Sequence, residues 1–339
     1  MSGAVLLTGG AGFIGSHIAV ALLQYGARVI VYDNFSNSCK SSLDRVAQIS
    51  GCELECIEGD VRDAAKLRRV FVDNDINRVI HCAGLKAVGE SVKNPLDYYS
   101  NNVGGTLTLL AAMQEADVYD LVFSSSATVY GAAQTMPLSE DSLVQMPSNP
   151  YGCTKFVAEK VLHEIASTNQ SWRIAIARYF NPVGAHESGM LGEDPQGTPN
   201  NLVPFISQVA VGKLEQLSVF GHDYPTVDGT GVRDYIHVMD LAFGHIKAMD
   251  FMRTCTGCKV WNFGTGKGYS VLELISAFED ASGVSIPYKL VDRRPGDVAE
   301  CWADISMAAK ELGWQPERNL RDMMLDTWRW QSLNPNGYR

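Results

Sequence analysis

Thr8-Gly9-Gly10-Ala11-Gly12-Phe13-Ile14-Gly15 decides the fold of this chain. An unbroken apolar run, residues 4–8, precedes it, as expected of a strand buried on both faces. After it, Ile14, Ile18, Ala21, Leu22 and Tyr25 recur at helical spacing. Strand, glycine-rich turn and helix in that order suit a dinucleotide. The spacing Gly9-x-x-Gly12-x-x-Gly15 lets the backbone turn tightly, approach a pyrophosphate and seat the helix closely on the sheet. The helix N-terminus then presents free N–H groups and the positive end of its dipole. Asp33 ends the next apolar run. An acid there accepts hydrogen bonds from the ribose hydroxyls of an adenosine and repels a 2′-phosphate, which favours NAD over NADP.

The same pattern continues outward. Residues 28–33, 54–60, 78–83, 121–126 and 173–180 read as further strands, separated by helical stretches. This alternation predicts an α/β fold, a Rossmann-type doubly wound parallel sheet with helices on both faces. Asn94-Pro95 and Asn149-Pro150 each place a capping Asn before a Pro at the first helical position. The alternation loosens after Asn181. Residues 181–200 are rich in Gly, Pro and Asn, and so long a loop in a compact chain marks a binding loop or a domain crossing. Beyond it the sequence predicts a helix near 201–212, strands near 217–220 and 232–238, and a helix near 239–252. A strand near 259–263 and two helices are expected to close the chain. The expected division is a cofactor domain, 1–180 with about 237–265, and a smaller mixed α/β substrate domain, 181–236 with 266–339.

A chain of 339 residues has room for two domains. Its 46% apolar and 19% charged residues suit a globular protein with a sizeable core. No apolar run reaches the length of a membrane-spanning helix, and the first residues carry no signal-peptide pattern, so the expected compartment is the cytoplasm. A net charge of −10 without Lys/Arg clusters argues against a nucleic-acid partner. An anionic ligand must then be held by a few local arginines and by backbone N–H groups. Eight cysteines are scattered, and only Cys255-Thr256-Gly257-Cys258 has a metal or redox spacing. No second pair completes a zinc site, so no metal is expected and this pair reads as free thiols in a loop.

Asn149-Pro150-Tyr151-Gly152-Cys153-Thr154-Lys155 carries the chemistry. Tyr151 and Lys155 are four residues apart and share a helix face. A phenol titrates near 10 and is a poor base at neutral pH. A nearby ammonium, together with a positive nicotinamide ring, is expected to favour the phenolate and make Tyr151 a usable proton acceptor for a substrate hydroxyl. Ser124-Ser125-Ser126 ends a strand 25 residues before Tyr151, and Ser126 is placed to hydrogen-bond the reacting oxygen. Tyr-x-x-x-Lys alone is frequent by chance. The combination of Ser, Tyr and Lys behind a dinucleotide turn is not.

These features resemble the extended, sugar-nucleotide-modifying branch of the short-chain dehydrogenase/reductase superfamily. Longer stretches resemble its UDP-glucose 4-epimerase family: residues 8–17 (TGGAGFIGSH), 81–91 (HCAGLKAVGES), 124–131 (SSSATVYG), 178–186 (RYFNPVGAH) and 229–241 (GTGVRDYIHVMDL). Sister dehydratases carry an acidic pair just after the catalytic Ser or Thr, because eliminating water needs its own acid and base. Ala127-Thr128-Val129 has no carboxylate, which argues against that branch. The resemblance implies one tightly bound NAD per subunit. It assigns to the cofactor Gly9, Gly12, Phe13, Ile14 and Gly15, then Asp33, Asn34, Phe35, Ser36, Asn37 and Ser38. Asp60, Val61, Cys82, Ala83, Gly84, Leu85, Lys86, Asn101 and Phe180 join them, with Ser126, Tyr151 and Lys155. To the sugar nucleotide it assigns Ser126, Tyr151, Asn181, Asn201, Leu202, Phe220 and Asp297, with Arg233 and Arg294 clamping the diphosphate.

The implied reaction interconverts UDP-glucose and UDP-galactose. Tyr151 takes the C4 hydroxyl proton, NAD accepts the C4 hydride, the 4-keto sugar turns over, and hydride and proton return to the opposite face. At Cys301, family members restricted to unsubstituted sugars carry a Tyr that walls the pocket; the smaller Cys is expected to admit UDP-GlcNAc and UDP-GalNAc as well. The resemblance also implies a homodimer, paired through helices near 94–114 and 151–168. Two other readings use the same motifs. A net oxidoreductase of this branch consumes NAD(H) in step with product. A non-catalytic NAD-binding protein often loses the Tyr or the Lys, and both stand here.

Overall fold

Residues Ala4, Val5, Leu6 and Leu7 alternate between two cores, and this alternation sets the layering of the molecule. The computed structural model describes residues 3–131, 135–294 and 296–338. Strand β1 (Ala4–Thr8) leads through the glycine-rich turn into helix α1 (Phe13–Gln24). There follow β2 (Val29–Asp33), α2 (Lys40–Ser50), β3 (Glu55–Glu58), α3 (Ala64–Asp73) and β4 (Ile76–His81). Next come α4 (Val88–Lys93), α5 (Pro95–Tyr98), a π-helical segment (Tyr99–Gly104), α6 (Gly105–Glu115) and β5 (Asp120–Ser126). Then α7 (Pro150–Thr168) and β6 (Arg173–Tyr179) follow. The second half holds β7 (Asn181–Val183), α8 (Leu202–Ala210), β8 (Leu217–Phe220), β9 (Val232–His237), α9 (Val238–Phe251) and β10 (Gly257–Phe263). It closes with β11 (Gly268–Ser270), α10 (Val271–Ser282), β12 (Tyr288–Val291), β13 (Glu300–Cys301), α11 (Ser306–Leu312) and α12 (Leu320–Leu333).

Seven strands form one parallel sheet in the order β10-β6-β5-β4-β1-β2-β3. Val5, Leu7, Val29 and Val31 face Ile18 and Leu22 of α1 and Leu241 and Ile246 of α9. Leu6, Ile30, Val79, Leu121 and Phe123 face Leu109 and Met113 of α6 and Leu162 of α7. Both faces are therefore dry, as the unbroken apolar runs require. The strand order reverses direction between β1 and β4, and ligands of such sheets bind in the crevice that opens there at the carboxyl ends. A third core packs α8, α10 and α12 through Ile206, Leu274, Phe278 and Met323 against Val219 of β8 and Tyr235 of β9.

Several local expectations need correction. Asn149 caps α7, its Oδ1 accepting the Gly152 N–H at 2.9 Å, but the Asn94 side chain caps nothing and only Pro95 marks that start. The helix expected over 94–114 is interrupted by the π segment at 99–104, a local widening that inserts a residue and is frequent at functional sites. The strand expected over 54–60 shrinks to four residues because it is the exposed edge and pairs only with β2. Three helices, not two, follow β10, with three short strands among them. Cys255 precedes β10 but Cys258 lies within it, so the pair is not a loop; both are free thiols. No helix among the described residues is long and apolar enough to cross a membrane.

Candidate active site

The first turn of α1, the carboxyl ends of β4, β5 and β6, strand β7 and the loop before α8 converge on one cavity of about 570 Å³. Around it Ile14, Cys82, Gly84, Leu85 and Lys86 come from the cofactor-side candidates, and Ser126, Tyr151, Lys155 and Phe180 from the catalytic centre. Asn181, Asn201, Leu202, Phe220, Arg233, Arg294 and Asp297 form its far wall. Sequence separations of well over a hundred residues are thus closed into one space. Asn200, Ser218, Tyr224, Gly231 and Tyr235 line it too, and the sequence reading assigned none of them to a ligand.

The remaining cofactor candidates run along the sheet edge away from the cavity. Gly9 has φ +71°, and a Cβ there would sit 2.5 Å from the Ala83 nitrogen, so this glycine is required by the fold. A Cβ on Gly15 would meet the Gly9 carbonyl oxygen at 2.2 Å, for the same close packing of helix on turn. Gly12 differs. Its φ is −74°, and a Cβ would meet only the Gly9 oxygen, at 3.4 Å. Nothing in the protein demands a glycine there. The α1 N-terminus behind it has no side-chain cap and no acid in its first turn, with Phe13 beside it. Bare N–H groups and free space are what a diphosphate needs, so the turn fits a dinucleotide.

Asp33 anchors the next stretch. Its Oδ2 accepts the Ala11 N–H at 3.0 Å, and its Oδ1 accepts the Phe35 N–H and the Ser38 hydroxyl at 2.9 Å each. Phe35 has φ +55°, rare for a residue with a Cβ, and the loop Asn34–Ser38 that carries Ser36 and Asn37 is folded around this carboxylate. Asn34 reaches Asp60 at 3.1 Å, and the Arg62 guanidinium beside Asp60 holds its carboxyl far below the usual range. Val61 packs against Gly105 at the start of α6. Asn101 lies in the π segment, where its side-chain amide donates to Asn102 Oδ1 at 3.0 Å.

Asn102 was not singled out from the sequence. It is buried, its Oδ1 accepts the Leu85 N–H at 2.8 Å, and its amide donates to the Leu85 oxygen at 2.9 Å and to Thr154 at 3.0 Å. It thereby fixes the loop after β4 against α7. The π segment turns this side chain inward, and neither residue spacing nor composition signals such a segment.

The catalytic residues meet. Lys155 is buried and donates to the Ser124 carbonyl at 2.6 Å, over the Phe123 ring at 4.9 Å. Burial pulls its pKa down to about 8, opposed by Cys82 and Glu159. The Tyr151 phenol was expected to be lowered by that ammonium together with a nicotinamide ring. In the protein alone it is raised: desolvation dominates, and a hydrogen bond with Ser126 and the charge of Lys86 oppose it. The Lys155 ammonium is turned to a backbone oxygen of β5. Glu159 completes the face 151–155–159, and sequence reasoning stopped one turn short of it. Its carboxylate accepts Arg178 Nη2 at 2.7 Å and the Ser125 hydroxyl, while Arg178 Nη1 donates to Tyr130 at 3.1 Å. Tyr130 in turn donates to Asn262 of β10 at 2.6 Å. Both charges are about 5% exposed.

On the far wall Arg294 pairs with Asp297 at 2.9 Å and stacks over Phe220 at 5.0 Å. Arg233 forms no ion pair among the described residues and donates to the Val232 oxygen at 2.8 Å, leaving guanidinium N–H groups for a ligand. Cys301 was expected to wall the cavity and does not line it. It packs with Val129, Tyr130, Leu138 and Ala303 against Phe180, the cluster member that does.

Comparison with known proteins places this geometry. The family model described as GDP-mannose 4,6 dehydratase matches residues 6–327. The chain is 58% identical over 336 residues to the UDP-glucose 4-epimerase of Haemophilus influenzae and 55% identical over 336 residues to that of Bacillus subtilis, covering 99% of each chain in both cases. Among solved structures, UDP-glucose 4-epimerase from Bifidobacterium longum in complex with NAD+ and UDP superimposes with a TM-score of 0.96 at 52% identity, covering 98% of this chain and 99% of that one.

The Glu159–Arg178 pair yields a first test. Glu159→Gln leaves a guanidinium buried without its counter-charge and is expected to lower stability by about 3–5 kcal/mol. Urea unfolding measures it; a loss within ~0.5 kcal/mol would show that the pair does not hold α7.

Proposed function

This chain belongs to the UDP-glucose 4-epimerases, NAD-dependent isomerases of the extended short-chain dehydrogenase/reductase family, and from that premise we propose how its residues interconvert UDP-glucose and UDP-galactose. The observation that carries the proposal is the convergence of Ser126, Tyr151 and Lys155 with Arg233 and Arg294 on one cavity.

NAD supplies, when bound, the acceptor and then the donor of the C4 hydride. Gly12 and the N–H groups opening α1 hold its diphosphate, and Asp33 receives the adenosine ribose. Arg233 and Arg294 grip the UDP diphosphate, with Phe220 and Asp297 beside them. The nucleotide half thus provides most of the binding energy and the sugar stays free to turn within the cavity. Ser126 bonds the C4 oxygen and Tyr151 takes its proton, then returns it after the sugar has turned. In the empty site burial keeps that proton on Tyr151. A cationic ring brought alongside lowers the phenol's proton affinity, so proton acceptance is coupled to a filled cofactor site. Lys155, held on the Ser124 oxygen, fixes the cofactor's ribose side of the cavity. Ala127-Thr128-Val129 continue from Ser126 as a 3₁₀ turn without a carboxylate, which favours epimerisation over dehydration.

The division into a cofactor unit (1–180 with about 237–265) and a sugar-nucleotide unit (181–236 with 266–339) is part of the proposal. It is supported by β10 joining the seven-stranded sheet and α9 packing on α1. The homodimer is supported by Val88, Val92, Leu96, Tyr99 and Leu107, large apolar side chains exposed together on α4 to α6. Acceptance of UDP-GlcNAc and UDP-GalNAc is supported by the small Cys301 side chain behind Phe180, which leaves that wall room to retreat.

The purified protein, given UDP-galactose and no added NAD, is expected to form UDP-glucose, measured with an NAD-dependent dehydrogenase only after the protein has been removed from the mixture. No product even after NAD is restored overturns the proposal. Cys301→Tyr is expected to abolish turnover of the N-acetyl sugars while sparing UDP-galactose; an unchanged ratio of the two activities rejects the role of Cys301.

A further inference from the structure

Residues 184–199 run from β7 to α8 as a strap that the chemistry above leaves unused. Its backbone is held by Arg45 of α2 and by the C-terminal end of the chain. Arg45 donates to the Met190 oxygen at 2.8 Å, Asn334 to the Gly189 oxygen at 2.8 Å, Tyr338 to the Gly192 oxygen at 2.9 Å and the Trp330 indole to the Glu193 oxygen at 3.1 Å. Gly192 lies so close to Trp330 that a Cβ would stand 2.3 Å from the ring. Glu193 is therefore presented from a fixed backbone, and its carboxylate, 13% exposed, meets Lys86 Nζ at 2.7 Å. Lys86 reaches over the Phe13 ring of the glycine-rich turn at 6.0 Å and lines the catalytic cavity.

Resting on the function proposed above, we propose that Glu193 is a positioning residue. It holds the Lys86 ammonium over the cofactor turn and beside Tyr151, so that the strap latches the NAD site. An exposed ion pair contributes little, because two long side chains must be ordered in water. Here one partner is already ordered by four backbone contacts and largely withdrawn from water, so the pair fixes Lys86 at small entropic cost. Released from Glu193, the ammonium gains its full hydration only by leaving the cavity mouth. Of the titratable groups facing Tyr151, which are Lys155 on its own helix, Tyr98 of α5, Tyr179 of β6 and Lys86, it is Lys86 that opposes the raised phenol pKa.

The test uses holoenzyme of the wild type, E193Q, K86M and the double variant, with NAD content followed through repeated dilution and ultrafiltration. E193Q is expected to lose NAD about tenfold faster than wild type. E193D, which keeps the charge on a shorter arm, is expected to fall between them. The double variant is expected to lose NAD no faster than K86M, because Glu193 acts through Lys86. The acidic limb of the E193Q pH–rate profile is expected to move to higher pH, as Tyr151 loses its cationic neighbour. A strap that is merely structural would leave that limb in place. E193Q that retains NAD like wild type, effects that multiply in the double variant, or a limb that stays or moves down would each overturn the latch. Wild type that neither holds NAD nor epimerises would overturn the proposed function instead.

Discussion

Arg178 and Glu159 face each other in the core, where each has given up most of its hydration. That loss amounts to several kcal/mol per ion, and only good geometry with further hydrogen bonds offsets it. Ser125, Tyr130 and Asn262 supply those bonds, so the ends of β5, β6 and β10 and the middle of α7 are tied at one point. The position of everything chemical follows from this tie. Glu159 stands one turn beyond Lys155 and two beyond Tyr151, so fixing it sets the depth and rotation of the helix face that carries both. On the strand side the same tie holds Ser125, whose neighbours are the Ser124 carbonyl that receives Lys155 and the Ser126 hydroxyl that meets Tyr151.

Such a site is built to wait for its ligands. Burial works against both charged forms, lowering Lys155 to about 8 and raising Tyr151. A pKa of about 8 still leaves Lys155 mostly protonated at neutral pH, so the empty cavity holds an ammonium and a neutral phenol, not an ammonium–phenolate pair. Charge enters with the ligands, a positive ring on one side and a diphosphate on the other, and the protein answers with few groups. Arg233, Arg294 and Lys86 face the cavity of a chain whose net charge is −10. Backbone N–H groups at the start of α1 do the rest, and they need no side chain at all.

Much of this was legible in the sequence because it depends on local rules. The strand, glycine turn and helix announce themselves through period and spacing, and Tyr151 with Lys155 through helical geometry. The longer motifs carried the family resemblance and the cavity-lining residues Asn181 and Arg233. What was missed depends on contacts between distant elements. Asn102 acts because a π segment turns it inward. Glu159 was on the right helix face, yet its partner Arg178 lies on a strand nineteen residues later and no pattern links them. For Tyr151 the expectation joined an ammonium to a nicotinamide ring; in the protein alone burial dominates, and the Lys155 ammonium bends to a strand carbonyl. Cys301 was placed on the cavity wall, but it packs against a cluster of which Phe180 is the member that lines the cavity. Gly9 and Gly12 look alike in sequence and differ in cause: packing demands the first, and nothing in the protein demands the second.

The central claim is that Tyr151 holds its proton in the empty site and yields it more readily once NAD is bound. Its titration can be followed by carbon NMR of protein labelled at the tyrosine ζ carbon, with Tyr151→Phe to assign the signal. The account predicts a pKa above the ordinary phenol value in NAD-free protein and a clear fall when NAD is restored. The same pKa in both forms, or a phenol already low without NAD, would contradict it.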